Sequence, residues 1–293
     1  MKNMKTVAGM LCLAGILSLG MGTTVFAEDG DSHYPVTITT YNYENEPVEM
    51  TFEKAPEKVF AYANSNIEEL LALGLGDKIV AACGLDGDVR EDLKDEFDKI
   101  QYMDTKPSKE EVVAMEPDFI AAWYSSFSDD WLSDVSFWQE RDVNTYMSLN
   151  SSAKGPASEF PRTIEDEYED ILNLGKIFDC EDKAEEIVDQ MKGEIDKVKE
   201  HVEGTDPLSV AVLEDEGDSF RVYGTETLGG NIPETLGAEL KLGAENSENV
   251  GAEDLIAADP DVLFMINYDG FMTADEAIAD ITDNPAYASL SAV

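Results

Sequence analysis

Residues 108–123 read SKEEVVAMEPDFIAAW, and residues 251–266 read GAEDLIAADPDVLFMI. Both stretches begin as a short acidic helix, break at a Pro-Asp pair and continue as an apolar run typical of a buried strand. Glu110 and Glu253 each stand seven residues before the proline of that pair. The sequence therefore predicts that the same helix–loop–strand unit is built twice.

The rest of the chain indicates how the two units are arranged. Short apolar segments alternate with helical segments of about ten residues, which is the pattern of βαβ units with a mainly parallel sheet. Residues 181–204 contain no proline and carry their apolar residues on one stripe, which predicts a single helix about 30 Å long. We therefore predict an α/β fold of two Rossmann-like lobes, residues 28–180 and 205–293, joined by a rigid backbone helix over residues 181–204.

The first 27 residues have the features of a secretion signal peptide. Lys2 and Lys5 precede an apolar stretch, and small residues at positions −3 and −1 place the cleavage after Ala27. No later stretch is long and apolar enough to cross a bilayer. We expect an exported protein, either periplasmic or at the cell surface. Leu11 precedes Cys12 where a lipid-anchored protein has a small residue, so lipid attachment at this cysteine is not expected.

Composition argues against several functions. The chain has 63 acidic and 20 basic residues, a formal net charge of −43, which repels nucleic acid and anionic lipid. It contains no G-x-S-x-G, Walker or complete G-x-G-x-x-G motif. His33 and His201 are its only histidines, too few for a histidine-rich metal site. We expect no catalytic residue, metal ligand or cofactor, and we expect Cys83 and Cys180 to be thiols rather than a disulfide.

Aromatic and polar residues cluster where the predicted strands end. Ligands of open α/β sheets bind outside the carboxyl ends of the strands, and two facing lobes place both sets of residues on the walls of one cleft. The predicted ligand-binding residues are Tyr62, Asn64, Trp123, Tyr124, Ser125, Tyr146 and Ser148 in the first half, and Arg221, Tyr223, Asn231 and Tyr268 in the second half.

From about residue 35 onward the chain resembles the substrate-binding proteins of ABC importers for iron complexes and cobalamin. The resemblance is carried by PEKVFAYANSNIEELLALGLGDKIVAACG at residues 56–84, by the repeated unit and by the long helix between its copies. It implies a monomer that is not an enzyme and that carries an iron complex, a ferric siderophore or haem, in the cleft. It also implies that Glu110 and Glu253 dock into arginine pockets of the membrane permease.

Two features depart from the family pattern. The chain stops at NPAYASLSAV, where relatives continue with a further strand and closing helices, so the C-terminal lobe is expected to be incomplete. Its only arginines are Arg90, Arg141, Arg162 and Arg221, which favours a neutral or weakly charged ligand over a strongly anionic one. Three alternatives stay open, namely a cobalamin-binding protein of the same class, a secreted α/β enzyme working in the cleft, and an acidic adhesin without a small ligand.

Overall fold

The computed structural model describes residues 33–243, 249–267 and 273–293. The strands in these residues are β1 (Val36–Tyr41), β2 (Pro47–Phe52), β3 (Val59–Tyr62), β4 (Ile79–Cys83), β5 (Tyr102–Met103), β6 (Phe119–Ala122), β7 (Asn144–Met147), β8 (Ser209–Asp215), β9 (Phe220–Val222), β10 (Glu239–Leu240) and β11 (Val262–Ile266). The α-helices are α1 (Asn64–Ala72), α2 (Lys94–Phe97), α3 (Lys109–Ala114), α4 (Val135–Gln139), α5 (Ile164–Phe178), α6 (Glu181–Val202), α7 (Leu228–Thr235), α8 (Ala252–Ala258) and α9 (Ala274–Thr282).

The first lobe is built on a parallel five-stranded sheet in the order β5-β4-β3-β6-β7. Every residue of β6 is fully buried, because parallel sheets are covered on both faces and their strands are apolar throughout. The antiparallel hairpin of β1 and β2 packs beside β7. The core under this sheet holds the largest buried side chains of the described residues, including Trp138, Tyr146 and Phe119.

The second lobe is built on a smaller sheet. β10, β8 and β11 run parallel in that order, and β9 pairs with β8 in the antiparallel direction. β11 is only half buried, and the side chain of Phe264 in its centre is 50% exposed. The apolar residues of this lobe form two smaller clusters, whereas the first lobe has one continuous core.

The repeated unit occupies the same place in both sheets. In the first copy, α3 leads into β6, which lies parallel to β3 with Phe119 opposite Val59. In the second copy, α8 leads into β11, which lies parallel to β8 with Val262 opposite Val210. Each copy therefore adds a strand beside the first strand of its own sheet, and this equivalence explains why one chain contains the unit twice.

The aspartate of each Pro-Asp pair fastens the new strand to that first strand. The Asp118 carboxylate accepts the backbone N–H groups of Glu57 and Lys58, the shortest contact being 2.8 Å. The Asp261 carboxylate accepts the N–H of Ser209 at 2.9 Å and its hydroxyl at 2.7 Å. Because these partners stand at the start of β3 and β8, both aspartates hold two parallel strands together at their amino ends.

Helix α6 carries the chain from the first sheet to the second. Its 22 residues give it a length of about 33 Å. Its first half packs along α5, where a Cβ on Gly175 would lie 2.5 Å from the Cβ of Ala184, so this approach requires glycine. Ala184 and Val188 are buried against the core of the first lobe. The fold is thus two α/β lobes joined by a long helix, which confirms the sequence prediction.

Two further expectations concern cysteines and membrane spans. Cys83 is buried in β4, Cys180 stands between α5 and α6, and both are free thiols as predicted. Among the helices of the described residues, none combines the length and the apolar character that spanning a membrane requires.

Candidate functional site

The order of the strands in the first sheet reverses at β3. From β3 the chain adds β4 and β5 on one side, and later β6 and β7 on the other. Ligands of open α/β sheets bind outside the carboxyl ends of the strands at such a reversal. Residues 62–65 and 123–126, at the carboxyl ends of β3 and β6, therefore border one crevice, which we call the β3–β6 crevice.

Aromatic side chains stand along the β6 side of this crevice. The indole of Trp123 is 37% exposed, and its Nε1 donates to the Oγ of Ser65 at 3.0 Å, which joins the two bordering segments. The ring of Tyr124 stacks on the ring of Tyr43 with centroids 4.8 Å apart and planes 16° apart. Ser125 follows and is exposed. The structure thus brings these predicted residues together, and it adds Tyr43 from the β1–β2 turn, which no strand-end pattern indicates.

Ala63 turns the chain from β3 into α1 in a conformation that is rare outside glycine, with φ 76° and ψ 156°. Two hydrogen bonds of 3.1 Å hold it, from its N–H to the Cys83 carbonyl and from the Ile67 N–H to its own carbonyl. The next residue, Asn64, accepts the N–H of Asp86 at 2.7 Å through its side-chain oxygen. Strained backbone of this kind concentrates at binding sites, so Ala63 independently marks the crevice.

Tyr62 stands on the β3 side with two residues that the sequence analysis did not select. Its ring meets the ring of Trp131 edge-on at 4.7 Å. The Nζ of Lys106 lies 3.6 Å from the centroid of the Trp131 ring and 5.4 Å from that of Tyr62. Burial, followed by the charge of Asp86, raises the pKa of Tyr62, so its phenol is protonated at neutral pH. The crevice thus offers aromatic faces, a phenol and one ammonium group.

Tyr146 and Ser148 lie inside the lobe, away from any surface that a ligand reaches. Tyr146 has no exposed area and Ser148 is 3% exposed, because β7 is covered on both faces. The Oγ of Ser148 donates to Asn66 at 3.0 Å, and the amide nitrogen of Asn66 donates to the Tyr62 carbonyl at 2.9 Å. These two predicted residues are therefore part of the buried hydrogen-bond network beneath the crevice.

Two carboxyl groups lie in the same buried network beneath the crevice. Asp170 accepts the Tyr146 hydroxyl at 2.6 Å and the Leu149 N–H at 3.0 Å. The Oε2 of Glu69 is buried without a hydrogen-bond partner among the described residues. Burial raises the pKa of both carboxyls well above the usual range, and the charge of Asp170 raises that of Glu69 further. Because only Asp170 has donors to stabilise a negative charge, we assign the proton to Glu69 at neutral pH.

Replacing Glu69 by glutamine is expected to stabilise the protein at pH 7.5. The folded-state pKa of Glu69 is raised above its unfolded value of about 4.3, so stability falls as the pH rises through the window between these values. Glutamine removes the titration, and we expect a gain of roughly 1–2 kcal/mol in the free energy of unfolding at pH 7.5. The measurement is urea denaturation at pH 5 and 7.5, with the exposed Glu159→Gln as control. Equal pH dependence of the Glu69→Gln variant and the wild type would contradict the assignment.

The second lobe presents a polar cluster at the carboxyl end of β8. The Tyr223 hydroxyl donates to the Glu214 carboxylate at 2.7 Å. The guanidinium of Arg221 is 3.6 Å from the same carboxylate, lies over the Tyr223 ring at 5.4 Å and is about half exposed. Two of the predicted ligand-binding residues, Arg221 and Tyr223, are therefore brought together at the edge of the second sheet. Tyr268, the last predicted ligand-binding residue, lies outside the described residues.

Asn231 has a different position, at the contact between the lobes. Its side-chain oxygen accepts the N–H of Ile164, the first residue of α5, at 3.0 Å. Beside it, the N–H of Arg162 donates to the Glu226 carbonyl at 3.0 Å, and the Arg162 guanidinium donates to the Ser152 hydroxyl. Asn231 thus joins the lobes through α5 and α7. Arg162, which the sequence analysis named only for its rarity, adds a half-buried cation at this contact.

Glu110 and Glu253 occupy equivalent positions on the surface. Each is the second residue of its helix, in α3 and α8 respectively, and both side chains are exposed. The N-cap Ser108 makes a capping box with Glu111, and the N–H of Gly251 donates to Asp254 at 2.9 Å. These neighbouring acids satisfy the helix ends, so neither Glu110 nor Glu253 is needed as a cap.

The structure has two lobes with parallel sheets, a long helix that joins them and an aromatic crevice where the strand order reverses. This combination defines a binding protein of the two-lobe type. A family model described as periplasmic binding protein matches residues 59–293. The chain belongs to the periplasmic binding protein family. This is a family of binding proteins, in line with the prediction that the chain is not an enzyme.

Individual relatives agree with this assignment. The crystal structure of a periplasmic binding protein from Veillonella parvula DSM 2008 superimposes with a TM-score of 0.81 and 32% identity, covering 89% of this chain and 82% of that one. The structure of an ABC-type Fe3+-hydroxamate transport system from Saccharomonospora viridis DSM 43017 has the same fold, with a TM-score of 0.69, 24% identity and coverage of 89% and 88%.

A curated relative adds a likeness in sequence. It is the uncharacterized ABC transporter substrate-binding lipoprotein YvrC of Bacillus subtilis (strain 168), which is 27% identical over 206 residues. The match covers 68% of this chain and 59% of the length of that relative.

Proposed function

We propose that the protein is the extracytoplasmic substrate-binding protein of an ABC importer and that its ligand is an iron complex, a ferric siderophore or haem. The observation that carries this proposal is the β3–β6 crevice, where strained backbone at Ala63 and the aromatic rings of Tyr62, Trp123 and Tyr124 meet at the reversal of strand order. An aromatic surface with strained backbone beside it is suited to binding a ligand, and the sequence contains no G-x-S-x-G, Walker or complete G-x-G-x-x-G motif.

The chemistry of the crevice supports a bulky, flat or aromatic ligand of low charge. Indole and phenol faces pack against planar groups, and phenol hydroxyls bind oxygen atoms of the ligand. The ammonium of Lys106 lies 5.4 Å from the centroid of the Tyr62 ring. Arg221 is engaged by Glu214 and Arg162 stands at the lobe contact, so neither concentrates positive charge in the crevice. The Saccharomonospora viridis structure, named for Fe3+-hydroxamate transport, shares the fold and makes a ferric complex the first ligand to test.

The two lobes also offer matched surfaces to a membrane partner. Glu110 and Glu253 project from equivalent helices, one on each lobe, and we propose that they dock into basic pockets of the permease. Charges at the rim of an interface steer docking and fix its register. A partner at the outer face of the cytoplasmic membrane is supported by the signal predicted over residues 1–27 and by the likeness to a substrate-binding lipoprotein.

Fluorescence titration tests the ligand. The protein is titrated with a ferric hydroxamate, a ferric catecholate, haem and cyanocobalamin, with free N-acetyltryptophanamide as the control for absorption of light by the ligand. We expect one iron complex to quench the emission saturably, with half-saturation below about 1 µM, because Trp123 borders the crevice. Saturable quenching by cyanocobalamin alone would replace the iron complex by a corrinoid. Flat titrations with all four ligands would contradict the proposal.

A further inference from the structure

A second site lies where α5 ends and α6 begins, on the side chain of His33. Its Nδ1 is 3.3 Å from the Oδ1 of Asp179 and 3.2 Å from the Oε1 of Glu181. Its Nε2 is 2.7 Å from the backbone carbonyl oxygen of Lys176. None of these residues belongs to the β3–β6 crevice or to the proposed docking surfaces.

Among the described residues, the polar atoms that contact the nitrogens of this imidazole are hydrogen-bond acceptors. The Lys176 carbonyl can only accept, so the Nε2 of His33 carries a proton and donates it. In a neutral imidazole the Nδ1 is then a lone pair facing two carboxylate oxygens, which is repulsive. A cation at this point removes the repulsion, either as a second proton on the ring or as a metal ion held between the three ligand atoms.

We propose that His33, Asp179 and Glu181 form a binding site for a divalent transition-metal ion of the Zn²⁺ type. The three ligand atoms all lie within 4.8 Å of one another. A tetrahedral ion with bonds of about 2.0 Å places its ligand atoms about 3.3 Å apart, which agrees with both distances from Nδ1. The Lys176 carbonyl fixes the tautomer that exposes Nδ1, as backbone carbonyls do for histidines that bind metal.

The surrounding fold holds the ligands in place. Asp179 ends α5 in the left-handed conformation, with φ 55°, and Glu181 is the first residue of α6. The hydroxyl of Tyr34, next to His33, donates to the Ile177 carbonyl at 2.9 Å. The carboxylates of Asp179 and Glu181 therefore face His33 from one short segment between two helices.

Cys180 stands between the two acids but is not part of the ligand set. The group of possible ligand atoms that lie within 4.8 Å of one another consists of those of His33, Asp179 and Glu181, and the Cys180 thiol is not among them. The sequence expectation of no metal ligand was based on the scarcity of histidine. A set of one imidazole and two carboxylates needs only one histidine, and His33 is brought to the acids across 146 residues of chain, counted to Asp179, by folding alone.

Such an ion would tie the segment before β1 to the start of α6. It would therefore stabilise the folded chain in proportion to its concentration, independently of any ligand in the crevice. The residues of this site belong to the first lobe and to α6, and none of them lines the β3–β6 crevice. Zn²⁺ binding can therefore be tested separately from the proposed function.

Isothermal titration of the chelator-treated protein with Zn²⁺ in 150 mM salt tests the site, and Co²⁺ absorption reports its geometry. We expect one Zn²⁺ per chain, visible Co²⁺ bands typical of tetrahedral coordination, and a melting temperature raised by roughly 5 °C at saturation. The His33→Ala and Asp179→Asn variants should each weaken Zn²⁺ binding at least about tenfold, the latter without a change of backbone because asparagine tolerates the left-handed conformation.

The other histidine provides the matched control. His201 is exposed near the end of α6, and His201→Ala should bind Zn²⁺ as the wild type does. Binding that is equal in the His33→Ala variant would mean adventitious ions on the acidic surface and would overturn the proposal. Loss of thermal stability in His33→Ala with chelator present, together with unchanged Zn²⁺ binding, would show instead that a protonated imidazole clamps the two acids.

Discussion

Replacing Glu110 and Glu253 together by alanine is expected to abolish stimulated uptake while leaving the Kd for the ligand unchanged. Both side chains are exposed on helices α3 and α8, and neither is needed as a helix cap. Removing one partner of a desolvated charge pair costs about 2–5 kcal/mol, so we expect at least a tenfold loss of uptake for the double variant. The measurement is uptake by the permease reconstituted in liposomes.

The control removes the same number of charges from other exposed positions. Glu140→Ala with Glu234→Ala takes one glutamate from each lobe and should leave uptake at the wild-type level. The single variants at Glu110 and Glu253 should each be impaired, because the lobes dock through equivalent contacts. Wild-type uptake by the double variant would contradict the docking role of the repeated unit.

Replacing Asp118 by alanine is expected to lower stability by about 3 kcal/mol. Its carboxylate accepts two backbone N–H groups, from Glu57 and Lys58, and alanine leaves both without this partner. Hydrogen bonds to a charged group contribute about 1.5 kcal/mol each or more, and for a chain of this size the melting temperature should fall by about 6–12 °C. Thermal unfolding followed by circular dichroism measures the effect.

Two further variants show whether the hydrogen bonds are the cause. Asp118→Asn keeps an acceptor oxygen and should lose less stability than Asp118→Ala, whereas the exposed Asp129→Ala should lose almost none. Asp261→Ala is expected to lower the melting temperature less than Asp118→Ala, because Asp261 and β11 are more exposed than their counterparts. Equal melting of Asp118→Ala and the wild type would remove the structural role assigned to the Pro-Asp pair.

The repeated unit could be predicted from the sequence because its signals are local. A capped acidic helix, a proline and an apolar run specify a helix, a turn and a strand wherever they occur. The pairing of each copy with β3 or β8 is a long-range contact, which the local pattern does not specify. The bonds of Asp118 and Asp261 could not be read from the sequence, since their partners lie about 50 to 60 residues earlier.

The candidate site was predictable only in part. Tyr62, Trp123 and Tyr124 could be selected because they end or follow strands, and strand ends share one edge of a parallel sheet. Tyr146 also ends a strand, but its burial depends on α5 packing over β7, which no local pattern indicates. Lys106 reaches the crevice through a long-range contact with aromatic rings.

The buried acids illustrate a second limit of the sequence. Glu69 sits in an ordinary acidic helix segment, and nothing in it distinguishes this glutamate from its neighbour Glu68 before the fold is known. Its raised pKa arises from burial and from Asp170, a residue of another helix. With 63 acids in the chain, such a group can be identified only from its surroundings.

Calorimetry of the wild type and of Trp123→Ala with the iron complex that binds tightest shows whether the β3–β6 crevice is the ligand site. Trp123 joins the two sides of the β3–β6 crevice through its bond to Ser65, and its indole is accessible to a ligand. We expect a Kd below about 1 µM for the wild type and a loss of affinity of about tenfold or more in the variant, with the melting temperature preserved. An unchanged Kd in a folded Trp123→Ala protein would show that the ligand binds elsewhere and would contradict the account.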